Sequence, residues 1–304
     1  MSINRNPFRL GVSGSCFIFT MPEELIVAAY RSALQGTLEK FDDRQNAMMV
    51  DFMRDMMRVM NGMDEISAME CYHSTAWDNE LILDVALDNP RVEFWSVHAP
   101  YGLYIDPSSP DEMAREGAVM SYCDAITTAK RLGAGVVVCH PGINRRPDVP
   151  KDVKLRNTID PFKRVADFAG ENGVKIAVEP LPKQEAGSTL EEVLWIIEQV
   201  DRPNVGVNFD VNHLFPPEAI PGMIRKTGEL LLSVHISDQD GIERHWLPFQ
   251  GTLDWKEILA ALTEIGYTGP LMYETHIHDV STCEEVGKPI VENYKQLIEL
   301  APGK

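Results

Sequence analysis

The sequence predicts an α/β chain folded as a (β/α)8 TIM barrel, a single domain across residues 1–304. Three observations carry that expectation. Short β-rich runs alternate with longer helical stretches, the pattern of parallel strands joined by helical crossovers. There are eight such units, and a closed eight-stranded barrel takes about 250 residues. Where the phase of a run is clear, its last residue is polar and opposes a wholly apolar face, because strand side chains alternate. The competing architecture is an open doubly wound sheet. No Gly-x-Gly-x-x-Gly follows the first run to support it.

The first run is Arg9–Ser13, and about fifty residues separate it from the second. That interval predicts a Met-rich helical extension around 36–64. Met48, Met49, Met53, Met56, Met57, Met60 and Met63 fall in it, and all but Met48 and Met57 share one helical face. Methionine fills irregular apolar gaps, so a helix packed on the barrel is expected in preference to a lid or a subunit contact. The runs Ile66–Cys71, Val92–His98 and Gly135–His140 follow. In Val174–Glu179, Val174, Ile176 and Val178 oppose Glu179. Ser188-Thr189-Leu190-Glu191 reads as a capping box opening the next helix. In Val205–Asp210, Val205, Val207 and Phe209 oppose Gly206, Asn208 and Asp210. In Leu231–His235, Leu232 and Val234 oppose Ser233 and His235. Asp254 to Ile265 has helical spacing. In Leu271–Glu274, Leu271 and Tyr273 oppose Met272 and Glu274, and a helix over Glu284 to Leu300 closes the chain. The apolar faces should meet the helix ring. The faces ending in Glu179, Asp210, His235 and Glu274 should point into the barrel, at the end where barrel enzymes keep their chemistry.

Composition excludes several function classes. Lys+Arg number 28 against 46 Asp+Glu, a net charge of −18. A duplex binder needs a basic face, so no nucleic-acid partner is expected. No apolar run approaches the roughly 18 residues of a membrane span, and Met1 to Leu10 lacks an apolar secretory core. The five cysteines are scattered without a Cys-x-x-Cys pair. That usage fits free thiols in a reducing cytoplasm. A homo-oligomer is compatible with all of this.

Every histidine lies at or just beyond a predicted strand end, which suggests convergence on one face. The best ligand set is Glu179, Asp210, His235 and Glu274. Three carboxylates and one imidazole suit a hard or borderline divalent ion, Mn²⁺ first, then Mg²⁺ or Co²⁺, with Zn²⁺ also compatible. The alternative is a buried hydrogen-bond network, which three mutually repelling carboxylates argue against. Cys139 beside His140 invites a thiol–imidazole dyad, but adjacent strand residues face opposite ways.

Seven motifs stand in order at successive strand ends: Ser-Val-His98-Ala-Pro-Tyr, Cys-His140-Pro-Gly, Val-Glu179-Pro-Leu, Phe-Asp210-Val-Asn-His213, Val-His235-Ile-Ser-Asp, Glu243-Arg244-His245 and Tyr-Glu274-Thr. Together they resemble the xylose-isomerase-like TIM-barrel superfamily, and within it the sugar (phosphate) isomerase/epimerase group, over nearly the whole chain. The resemblance implies a metal on Glu179, Asp210, His235 and Glu274, with Glu179 and Glu274 as acid/base residues. It implies substrate contacts from His213 and Arg244, and from Glu185, which stands six residues after Glu179. Relatives keep His98 and His140 as substrate-facing or supporting groups. The superfamily also holds zinc endonucleases that cut at abasic DNA sites. Likeness to them would make His98, His140, His213 and His245 metal ligands, with Glu243 where their acid is usually Asp. The charge of −18 and the acidic segment from Ser237 to Glu243 point away from DNA.

The expected reaction is proton abstraction next to the carbonyl of a ketose or keto-polyol, giving a metal-stabilised enediolate. Return of the proton to the other face is epimerisation, and its transfer along the enediolate is isomerisation. An inosose-type dehydratase or keto-sugar lyase on the same site is the alternative. The substrate class is a small polyhydroxylated carbohydrate. A phosphorylated one is disfavoured, because the last two loops lack a Gly-rich phosphate cradle. Arg145, Arg146 and Arg244 are the candidate anion contacts, and Tyr101, Trp246 and Phe249 the candidate stacking residues.

Overall fold

A computed structural model of the chain describes residues 8–34, 39–88, 91–143, 148–182 and 186–302. Eight parallel strands close into a barrel in chain order. They are β1 (Leu10–Ser13), β2 (Ile66–Tyr72), β3 (Glu93–His98), β4 (Val136–Cys139), β5 (Lys175–Val178), β6 (Val205–Asp210), β7 (Leu231–Ile236) and β8 (Leu271–Tyr273). Pairing of Leu10 with Leu271 and Val12 with Tyr273 completes the ring. The helices among the described residues are α1 (Glu23–Leu34), α2 (Asp43–Asn61), α3 (Asn79–Leu87), α4 (Glu112–Leu132), α5 (Lys151–Glu171), α6 (Leu190–Val200), α7 (Ile220–Thr227), α8 (Trp255–Glu264) and α9 (Cys283–Ile298). No helix among the described residues is long and apolar enough to cross a membrane.

Burial separates the two faces of the wall. Val137, Cys139, Ile176, Val178, Val207 and Val234 join the large core between barrel and helices. Val136, Val138 and Ala177 form a separate small cluster, the inner layer that fills a barrel lumen. Two residues beyond Val138 and Ala177 stand His140 and Glu179, so the same alternation carries both into the mouth. Cys139 belongs to the outer core, its thiol pushed well up by burial, which separates it from His140.

Two local expectations are corrected. The cap of α6 lies one residue later than expected: the Thr189 hydroxyl accepts from Glu192 N–H, and Ser188 N–H donates to the Glu192 carboxylate. Leu232 does not share the outer face with Val234. The β6–β7 register shifts between Val207–Leu231 and Asn208–Ser233, and Leu232 packs on Val136, Val138 and Ala177. A bulge turns one side chain to the other face.

The Met-rich segment is α2, opened by a capping box of Asp42 and Gln45. Met49, Met53, Met56, Met57 and Met60 are buried in it, and it packs against α3 and α9. Residues 36–38 of the expected extension lie outside the described residues.

Candidate metal centre

The ends of β5 to β8 bring four side chains together. Ligand atoms of Glu179, Asp210, His235 and Glu274 lie within 4.8 Å of one another, all four side chains buried. His235 is the hub. Its Nδ1 stands 3.2 Å from Glu179, 3.0 Å from Glu274 and 4.0 Å from Asp210. Its Nε2 stands 3.2 Å from Glu70. Asp210 Oδ2 and Glu274 Oε2 are buried and make no well-aligned hydrogen bond among the described residues; they face His213 Nδ1 and His235 Nδ1, each at 3.0 Å. Buried carboxylate oxygens left in this way are costly unless a cation or protonated partner meets them. The donor set therefore fits a divalent metal.

The charges of the metal-free cluster follow from its geometry. Burial pushes the Glu179 carboxyl up, but His235, His140 and His213 outweigh it and hold the group well below the usual carboxylate range. Glu274 is likewise held well down, against burial, chiefly by His235. Burial, helped by Glu274 and Glu179, pushes Asp210 up to about 7. Burial lowers His235, but Glu274, Glu70 and Glu179 carry it well above the ordinary imidazole value. His213 reaches about 10 against burial, through Asp210 and Glu179. In the absence of a cation, protonated imidazoles do the neutralising.

Histidines flank the four-residue set on two sides. His98 Nε2 lies 3.3 Å from Glu179, and His98, His140 and Glu179 form a second group spaced for a metal. Burial holds His140 down at about 4, so it is a neutral donor, and its Nδ1 has no partner among the described residues. Asp210, His213 and His245 form a third group, with His213 Nδ1 3.0 Å from Asp210. Glu243 stands 3.5 Å from His245 and 3.8 Å from His213. The residues can thus coordinate beyond a single ion.

Other predicted residues are placed differently. The Arg244 guanidinium sits at the rim, paired with Asp240 at 3.0 Å and lying over Trp246. Its backbone N–H donates to Asn212, which ties the Glu243–His245 loop to the end of β6. Asp238 anchors that loop from below, accepting from Gln239, Phe249 and Leu253 N–H and from the Trp255 indole. Tyr101 packs edge-on against His98 and His140. Glu185, Arg145 and Arg146 lie outside the described residues. His73 does not join the cluster: it contacts Thr128 and Asn79, and burial holds it neutral, at about 4. β2 extends to Tyr72, so the next residue turns to the outer side.

Sequence reasoning missed Glu70 and Tyr72. Glu70 is fully buried, accepts from Ser13 and Ser96 and meets His235 Nε2. Tyr72 donates to Glu274 at 3.0 Å and stacks on His98. The missed signal was period two along Ala68, Glu70 and Tyr72, with an acid in mid-strand. A carboxylate behind a ligating imidazole fixes its orientation and raises its basicity. Glu70→Gln is expected to weaken metal affinity by roughly 10–100-fold, read by competition with a chelating dye. Unchanged affinity would remove Glu70 from that role.

Comparison with known proteins agrees with the geometry. The family described as xylose isomerase-like TIM barrel matches residues 41–301. An uncharacterised protein of Methanocaldococcus jannaschii is 30% identical over 206 residues, 64% of this chain and 69% of its own length. The inosose isomerase of Bacillus subtilis is 28% identical over 174 residues, 54% of this chain and 62% of that enzyme. The D-psicose 3-epimerase of Ruminiclostridium cellulolyticum is 28% identical over 177 residues, 56% of this chain and 59% of that enzyme. The match thus spans about three-fifths of each of these two enzymes. Among solved structures, an IOLI protein with a bound zinc atom superposes with a TM-score of 0.73, covering 96% of this chain and 98% of that one. At 18% identity that likeness shows the fold alone.

Proposed function

Because the chain belongs to the xylose isomerase-like TIM barrel family, we propose that it is a divalent-metal-dependent isomerase or epimerase of a ketose or keto-polyol. One observation carries the reading: three buried carboxylates and an imidazole converge at the barrel mouth, their ligand atoms within 4.8 Å of one another, with Asp210 Oδ2 and Glu274 Oε2 turned toward imidazole nitrogens of the same cluster. Glu179, Asp210, His235 and Glu274 would hold the cation, Mn²⁺ by preference. When bound, it supplies Lewis acidity that stabilises negative charge developing on a substrate oxygen.

The chain's own groups handle the proton. Glu179 and Glu274 are both held ionised, so either can accept a proton from carbon beside the carbonyl. Tyr72 and Ser15 donate to one oxygen of Glu274 and leave the other directed at the cluster. Return of a proton by the second glutamate to the opposite face of the carbon inverts it. His213, Arg244, His98, His140 and Glu185 are the proposed contacts to substrate hydroxyls. Related sugar-active relatives, named as inosose isomerase and D-psicose 3-epimerase, support this substrate class. Dehydration or lyase cleavage would share the first step.

The test is a screen of Mn²⁺-loaded protein with keto-sugars and inososes in D₂O, followed by NMR. Deuterium should enter the carbon beside the carbonyl, without loss of water. Failure of exchange with every substrate, together with cutting of abasic-site DNA by the same preparation, would replace this reading with a nuclease.

A further inference from the structure

A cavity of about 290 Å³ opens beside the carboxylate cluster. It lies between the helical turn after β1 (Gly14–Thr20), α1 and α2. Ile18, Ile26, Met49, Met53, Met56 and Trp77 are among the residues of its apolar wall. Among the described residues its lining holds no lysine or arginine, and its titratable side chains besides tyrosine and cysteine are Glu70 and His73. Its polar end is the part that touches the site. Ser15 and Tyr72 both line the cavity and hydrogen-bond to Glu274. Tyr101 lines it too and packs on His98 and His140. The long β1–β2 interval therefore builds a largely apolar chamber, one polar end of which, at Ser15, Glu70 and Tyr72, is shared with the carboxylate cluster.

Its size and chemistry select an occupant. A cavity of about 150 Å³ lined by apolar side chains already holds a benzene, so this one takes one or two rings. An anionic substituent would enter with no lysine or arginine beside it. Glu70, the carboxylate of the lining, is already engaged by Ser13, Ser96 and His235, so a buried charge of either sign would be left unpaired, which is strongly unfavourable. Methionine walls adapt to ring edges and make favourable sulfur–aromatic contacts. We propose that the substrate is a sugar or keto-polyol joined to an uncharged, ring-bearing apolar group. The polyol half sits over Glu179 and Glu274, and the apolar half sits in the methionine-walled chamber. The polyol half rests on the isomerase/epimerase reading; the apolar half rests on the cavity alone.

Two matched pairs of ligands test it by calorimetry on the metal-loaded protein: phenyl and methyl glucosides, and phenyl and methyl galactosides. At least one phenyl glycoside should bind tenfold or more tightly than its methyl counterpart. Ala29 and Ile26 are half-buried on α1 and line the chamber. Ala29→Phe and Ile26→Trp should each remove the phenyl preference while leaving metal content unchanged. Equal binding of phenyl and methyl forms in both pairs, or a preference that survives both filled variants, overturns the proposal. The two readings fail separately. A phenyl preference removed by filling, without C–H exchange on any keto-sugar, keeps the chamber and sinks the isomerase; exchange without preference does the reverse.

Discussion

Replacing Glu179 or Glu274 by glutamine is expected to lower C–H exchange by roughly 10³-fold, within the range that a positioned acid or base contributes. The substitution keeps shape and removes the charge. Each side chain is proposed as both a metal ligand and a proton acceptor, so metal content must be measured alongside the rate. At saturating metal the rate should stay low in both variants, because an amide cannot take a proton from carbon. Glu274→Asp should retain metal better than Glu274→Gln. It also withdraws the carboxylate from Tyr72 and Ser15, whose hydroxyls now hold it. Exchange at the wild-type rate in a metal-saturated Glu→Gln variant would show that the residue is not the base.

Metal affinity should rise steeply with pH. The sign follows from which groups carry protons in the metal-free cluster. His235 is raised well above its ordinary value, so it is protonated at neutral pH and must lose that proton to bind a cation. Asp210 stands at about 7, so below that pH a second proton must leave. A site that binds metal only through bare donors releases those protons on binding. Apparent affinity is therefore expected to climb by about tenfold per pH unit above pH 7, and more steeply below it. Titrations in buffers of different ionisation heat should report at least one proton released per ion at neutral pH. A flat pH profile would mean that His235 is not a ligand. Elemental analysis of the same samples sets the number of ions. A count above one brings in the His98–His140–Glu179 and Asp210–His213–His245 groups.

Much of the frame was legible in the sequence because strand alternation is a local property. Val174, Ile176 and Val178 against Glu179, and Val205, Val207 and Phe209 against Asp210, mark the wall and its direction without any distant contact. The errors occurred where that alternation breaks or shifts. Leu232 sits at a register shift, a feature of two strands together that neither encodes alone. His73 was grouped with the other histidines because it follows a strand end, but it stands three residues from the inward Glu70, and an odd spacing reverses the face.

By itself, the sequence determined the eight-unit order, the inward residues at the ends of β5 to β8 and the four side chains that meet at the barrel mouth. Period-two patterning and residue chemistry are enough to state these. Only the tertiary structure decided what stands behind and beside those four side chains. Glu70 reaches His235 from another strand, 165 residues away in sequence. Tyr72 reaches Glu274 across 202 residues. The methionines of α2 wall a chamber instead of only filling a gap. Such pairings depend on barrel closure, which brings β8 beside β1, and the shape left between packed elements is not a property of any one segment.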